Sequence, residues 1–325
     1  MNRFVVVFLS FACALSSTVA LSFDGPERDS NDFIRLPLTP LAPRKRRAAD
    51  ENGLTKINVN SVRDVRYGFP VEIGTPPQTF NVMLDSGSVD LWVPWKEAKN
   101  NPDCRQMCKD AEHFFDESAS STYQKGPGDF FFGYKGGSTS GTIGLDTVSI
   151  GGLIAKNQPF GLANSSLSVE GNDGVIGFSY PAFSELDTLT WIDRLVEQGQ
   201  VKQRIGCVKL RLKKEAKSEF IVGGCDVEAD AWAPVLVRNN QLSGWRVNLT
   251  KIILRDRTNN TELLSIEPKF ETVLDTGAGD QLAIPSQFFK PIAANMGLFK
   301  KGYHQQVDCD KWQEKNLPNI EFYFG

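Results

Sequence analysis

Two aspartates stand in nearly the same setting: Val82-Met83-Leu84-Asp85-Ser86-Gly87-Ser88 and Thr272-Val273-Leu274-Asp275-Thr276-Gly277-Ala278. Each follows an apolar run and enters a tight turn made of a hydroxyl residue and a glycine. One such triplet alone would read as a turn whose carboxylate satisfies its own backbone. Two copies in matching contexts point instead to a pair of carboxyls that work together. Held about 3 Å apart, two carboxyls cannot both ionise, so one keeps its proton while the other stays charged. Such a pair can take a proton from water and give one to a carbonyl oxygen, as amide hydrolysis requires. The pair titrates as a unit, so the proton belongs to neither Asp85 nor Asp275 individually. Water is the nucleophile, and the reaction calls for no covalent intermediate, metal or cofactor.

Other chemistries find little support. The two histidines, His113 and His304, have no Gly-x-Ser-x-Gly string to serve. There is no phosphate loop and no dinucleotide fingerprint. A net charge of −3 gives no basic excess for nucleic acid. At 325 residues and 41% hydrophobic, the chain has room for two domains.

The elements that must position the aspartates read mostly as strands. Tyr67 to Gly74 alternates and is closed by Thr75-Pro76-Pro77. Phe80, Val82 and Leu84 then alternate into Asp85, which places it at a strand end. Phe130 to Ser138 reads as a strand entering a glycine-rich turn, with Thr142 to Ile150 returning. Leu186, Leu189, Ile192 and Val196 recur at helical spacing up to Gly199 and predict one amphipathic helix. Ile205 to Leu212 and Glu219 to Gly224 read as an antiparallel hairpin flanked by Cys207 and Cys225, where a cross-strand bridge fits. Leu36 to Pro43 is punctuated by prolines and is expected to form no regular structure.

The N-terminus reads as an address. Arg3 precedes an apolar run from Phe4 to Ala14, and Ser16 to Ala20 offers small residues at a cut, the pattern of a secretory leader. The run is too short to span a membrane comfortably, and no later segment approaches twenty apolar residues. The expected location is therefore secreted or endolysosomal. Asn164, Asn248 and Asn259 each open an Asn-x-Ser/Thr string and are glycan acceptors if the chain is secreted.

On its paired Asp-Ser/Thr-Gly strings the chain resembles the pepsin-like aspartic proteases, the family of pepsin and cathepsins D and E, over Tyr67 to Gly325. The resemblance implies an all-β-dominated, bilobal fold in which two pseudo-symmetric lobes each lend one aspartate. Residues 1–20 are then a leader and 21–54 a pro-segment or linker. Residues 55–238 form the first lobe with Asp85, the flap and the inter-lobe connection, and 239–325 form part of the second lobe with Asp275. Asp173-Gly174-Val175-Ile176-Gly177-Phe178 matches the element that crosses behind the first aspartate loop. No counterpart follows Asp275, so the second lobe is expected to be incomplete.

The resemblance also assigns roles. Ser86 and Thr276 would clamp the two loops through their hydroxyls, with Gly87 and Gly277 shaping the turns, and Ser88 would donate to an outer oxygen of Asp85. Trp92 would back the active-site loop. Tyr134, with Gly136 and Gly137, would form a flap closing over substrate. Arg44-Lys45-Arg46-Arg47 would be either a dibasic processing site or the basic part of a pro-segment lying over the carboxylates. Two departures stand out: Lys135 replaces the family's usual flap glycine, and Ala278 supplies no hydroxyl opposite Ser88. Losing that donor should raise a carboxyl's pKa and extend activity to milder acid. Gly279-Asp280-Gln281 also departs from the family's continuation.

In the family, a small loop after the first aspartate strand is closed as Cys104 and Cys108 would close it, and Cys309 would pair further downstream. A zinc site of Cys104, Cys108 and His113 is the alternative, disfavoured in an oxidising compartment. The expected activity is acid endopeptidase cleavage of extended peptides between bulky hydrophobic residues, by a monomer with no nucleic-acid partner. The alternative is an inactive or truncated homologue that binds peptides or proteins.

Overall fold

The computed structural model describes residues 17–22, 34–37, 55–62 and 66–324, apart from 105–106, 135–136, 167–168, 170, 182–183, 187–188, 211–217, 226–243, 279–283, 297–298, 302–303 and 307–317. The basic run at 44–47, Lys135, Gly136, Gly279, Asp280, Gln281 and Cys309 lie outside the described residues.

The fold is dominated by β-structure, in two large sheets and a small two-stranded one of Phe299–Lys301 and His304–Gln306. A twelve-stranded sheet runs from strand Ser17–Ser22 at one edge to Gln124–Tyr134 at the other. A four-stranded sheet is centred on Arg246–Arg255, which pairs with Glu262–Ile266, Phe270–Val273 and Asn319–Phe324.

Alternation in the sequence explains the first sheet's core. Side chains two apart share a face, and Phe69, Val71, Ile73, Phe80, Val82 and Leu84 all turn into one buried cluster with Phe160, Phe178 and Trp191. Each such side chain withdrawn from water contributes about 1.5–3 kcal/mol. Met83 points the other way, into a second cluster with Trp92, Phe130, Phe132 and Val175. The strand Gln78–Asp85 is thus buried on both faces where it delivers Asp85.

Strand Gly174–Gly177 runs parallel to it in the register Gly174↔Val82 to Gly177↔Asp85, and antiparallel to Leu91–Pro94. A Cβ at Gly177 would lie 2.3 Å from the backbone nitrogen of Val89. Only glycine lets this strand pass so close behind the aspartate turn. The expected backing element for Asp85 is therefore present. Among the described residues, Phe270–Val273 pairs only with Arg246–Arg255.

Two local expectations are corrected. The helix spans only Trp191–Glu197, so Leu186 and Leu189 precede it. Its start is set by Thr190 and Asp193, which bond reciprocally as a capping box and satisfy the free N–H groups of the first turn. The hydrophobic period ran on because Leu186 packs from a loop into the cluster around Trp92. Leu36 and Pro37, expected to be irregular, belong to strand Ile34–Pro37, which pairs with Phe220 to Val222. Strand Ser17–Ser22 pairs with Ile205–Leu210 and straddles the expected leader boundary.

Cys207 faces Ile221 across its hairpin, so its disulfide with Cys225 joins a strand to the turn beyond the partner strand rather than bridging opposite residues. Helix Ser286–Met296, which the sequence reading did not predict, packs Ile292 and Met296 against Val247, Leu249 and Phe322.

Candidate active site

Asp85 ends its strand, and its carbonyl accepts from Phe178 N at 2.9 Å. The residue is 5% exposed. Oδ1 accepts from Gly87 N at 2.9 Å, and Oδ2 accepts from Ser88 Oγ at 2.5 Å. Asp275 is reached through Leu274, whose N–H donates to the carbonyl of Trp245 at 3.0 Å. Its Oδ1 accepts from Gly277 N at 2.8 Å, the same turn geometry as at Asp85. Asp275 is exposed whereas Asp85 is buried.

Reciprocal hydrogen bonds hold the two turns together. Ser86 N donates to Thr276 Oγ1 at 3.0 Å, and Thr276 N donates to Ser86 Oγ at 2.9 Å. Each hydroxyl then donates to the strand of the other turn: Ser86 Oγ to the Leu274 carbonyl and Thr276 Oγ1 to the Leu84 carbonyl, both at 2.9 Å. Each bond contributes about 0.5–1.5 kcal/mol net, and each leaves a buried polar group satisfied.

The glycines explain how the acids meet. A Cβ on Gly277 would sit 2.3 Å from Asp85 Oδ1, and one on Gly87 would sit 2.7 Å from Asp275 Cγ. Each carboxyl occupies the space that a side chain on the opposite turn would fill. The two carboxyls are in hydrogen-bonding contact. Burial above all, then the charge of Asp275, holds Asp85 well above the usual carboxylate range, against the opposing bonds from Ser88 and Gly87. Among the described residues, Asp275 has no hydroxyl donor matching Ser88, because Ala278 stands in that place.

Tyr134 ends the first strand of a hairpin with Gly137 opposite it. Trp92 is fully buried, and its Nε1 donates to Tyr134 Oη at 2.8 Å, giving the indole the partner it needs in the interior. Ser88 also lies beside Tyr134, so polar groups line up from Trp92 through Tyr134 and Ser88 to Asp85. Burial, then the charge of Asp85, pushes the Tyr134 phenol upward, and it stays protonated.

Cys104 and Cys108 are bonded to each other, which removes the zinc alternative, since disulfide sulfurs are not thiolate ligands. His113 Nδ1 lies 3.0 Å from Asp173 Oδ2. The Asp173 carboxylate also accepts from the backbone nitrogens of Asn81, Glu112 and His113 and so fixes the strand behind Asp85.

The sequence reading missed Asp90. This buried carboxyl accepts from Ser184 Oγ at 2.5 Å and Glu185 N at 2.9 Å, and its own carbonyl accepts from Gly177 N at 3.1 Å. Burial pushes it up to about 6, against the bonds from Ser184 and Glu185. The signal was an acidic residue inside the apolar run Val89 to Val93, where an unpaired charge is expensive.

The family comparison agrees with this arrangement. The model for the eukaryotic aspartyl proteases matches residues 66–325, and the chain belongs to that family. It is 32% identical over 267 residues to pregnancy-associated glycoprotein 2 of Sus scrofa, covering 80% of this chain and 59% of that protein. Pepsin A of Canis lupus familiaris is 29% identical over 301 residues, 90% of this chain and 73% of the relative. Cathepsin E-A of Xenopus laevis is 29% identical over 272 residues, 80% and 63% respectively. The chain thus spans 59% of the length of the first of these relatives.

Proposed function

We propose that this chain carries the acid pair of an aspartic endopeptidase, with Asp85 and Asp275 activating a shared water against a peptide carbonyl. The observation that carries this reading is the contact of the two carboxyls across the turns locked by Ser86 and Thr276. With one proton between them, the ionised partner takes a proton from water while the protonated one gives its proton to the carbonyl oxygen. Tyr134 and Gly137 stand at the tip of a lid that holds an extended peptide. Bulky apolar residues on either side of the cut are the preferred substrate class. No helix among the described residues is long and apolar enough to cross a membrane. The apolar leader pattern and two disulfides support a secretory or endolysosomal location.

One observation favours a second reading, a peptide-binding homologue without turnover: Asp275 is exposed, and its strand has a single partner among the described residues. Hydrolysis of a denatured protein at acid pH separates the two. Asp85→Asn and Asp275→Asn should each cut the rate by about 10²–10⁴. Equal behaviour of wild type and variants, with peptide still retained, would establish the binding reading instead.

A further inference from the structure

The three Asn-x-Ser/Thr strings lie in different surroundings. Asn248 is half-buried on the central strand Arg246–Arg255, opposite Glu271, and the hydroxyl of its Thr250 donates to the Tyr323 carbonyl at 3.0 Å. Asn164 is half-buried on strand Leu153–Ser166, and its carbonyl accepts from Asn101 Nδ2 at 2.9 Å. Asn259 sits in the exposed turn between Arg246–Arg255 and Glu262–Ile266.

That turn organises itself. Asp256 Oδ1 accepts from Thr258 N at 2.7 Å and Asn259 N at 3.2 Å, while Asp256 N donates to the Thr261 carbonyl at 2.9 Å. Asn260 takes a φ of 60°, a left-handed conformation that asparagine tolerates better than most residues. The chain reversal brings Thr261 back onto Asn259, whose Oδ1 accepts from Thr261 N at 3.0 Å and Thr261 Oγ1 at 2.7 Å. The amide oxygen is therefore engaged within the string itself. Asn259 Nδ2 has no hydrogen-bond partner among the described residues and stands on an exposed surface. All these contacts fall between Asp256 and Thr261, so the turn can form before the sheet around it.

We propose that Asn259 is the preferred acceptor of an N-linked glycan, ahead of Asn164 and Asn248. The inference rests on the secretory reading above. In the transfer, Asn259 Nδ2 bonds to the anomeric carbon of a lipid-pyrophosphate-linked oligosaccharide. The carbon–oxygen bond to the pyrophosphate breaks, the lipid pyrophosphate leaves, and the amide gives up one proton. The sugar then stands beside Glu262–Ile266, the outer strand of its sheet among the described residues, where Leu263 is exposed. A hydrated chain there obstructs edge-to-edge pairing with another molecule.

The test uses the full chain expressed behind its own N-terminus in a eukaryotic secretory host. Enzymatic release of N-glycans in heavy-oxygen water converts each formerly glycosylated asparagine to labelled aspartate, read by peptide mass spectrometry. Label at Asn259 should exceed that at Asn164 and Asn248 several-fold. Asn259→Gln and Thr261→Ala should each remove that glycan, and Asn248→Gln should leave it. A non-reducing map of the same sample reports the Cys207–Cys225 bond and so marks passage through an oxidising compartment. A disulfide-bonded chain unlabelled at Asn259, or labelled more heavily at either other site, overturns the proposal. A reduced and unlabelled chain overturns the secretory reading and the proposal with it.

Discussion

Trp92 Nε1 donates to Tyr134 Oη at 2.8 Å, joining the wall behind the Asp85 turn to the strand that leads into the hairpin tip. Both groups face low-dielectric surroundings, so the bond fixes the ring as well as satisfying the indole.

Trp92→Phe keeps the apolar bulk and deletes the donor. Losing one neutral hydrogen bond costs about 0.5–1.5 kcal/mol. The expected result is a KM for peptide raised about 2- to 10-fold, with a smaller change in kcat. Steady-state kinetics on a fluorogenic peptide reads this, and a kcat loss with unchanged KM would assign the bond to chemistry rather than to positioning.

Ala278→Ser supplies the hydroxyl that Ser88 provides on the other side. Donation to a carboxylate favours its charged form. The window of hydrolysis should move toward stronger acid by about 0.5–1 pH unit, the scale of one such bond. A pH–rate profile of kcat/KM measures it, and profiles that superimpose would show that the missing hydroxyl does not set the acid range.

Asp90→Asn tests the overlooked buried carboxyl. Its folded pKa of about 6 stands above the ordinary value of 3.8, so the native state binds the proton more tightly than the unfolded chain. That contribution is fully present below 3.8 and is lost as pH rises to about 6. The charge it must bear at neutral pH costs about 1–3 kcal/mol by the size of the shift. Asparagine carries no charge, so the difference in Tm between pH 4 and pH 7 should shrink. Glu185 and Tyr134 also face this carboxyl and are unchanged in the variant. Thermal melts across that range, showing an unaltered pH slope, would remove Asp90 as the source.

Gly277→Ala places a carbon 2.3 Å from Asp85 Oδ1, inside contact distance. The turns must separate by part of an ångström, which overpacking data put at about 1–3 kcal/mol. Activity should fall far more than stability, since a misplacement of that size costs about 10²-fold in rate. Parallel activity assays and denaturant titrations give the comparison; equal losses in both would make the glycine a folding residue only.

Much of the site was legible because it repeats. Asp85 and Asp275 announce themselves through matching strings, and the roles of Ser86, Thr276, Trp92 and Tyr134 follow from the family resemblance those strings carry. The backing strand Gly174–Gly177 was readable because Asp173 to Phe178 matches the element that the resemblance places behind the first aspartate loop. Asp90 was not, because its partners Ser184 and Glu185 lie far along the chain in a loop without periodicity. The helix over Trp191–Glu197 was read too long because Leu186 is buried by tertiary packing, not by helical phase. Helix Ser286–Met296 was missed since Pro291 inside it argues against continuation, although Phe289, Ile292, Ala293 and Met296 keep the period.

Because Ser86 and Thr276 each complete the hydrogen bonding of the opposite turn, neither aspartate can be armed by its own half of the polypeptide. Separate halves would leave these hydroxyl and backbone groups without their partners, and the carboxyl pair exists only when both are docked. On the proposed function, chemistry is thereby slaved to assembly, since a half-finished chain lacks the paired acids that hydrolysis would need.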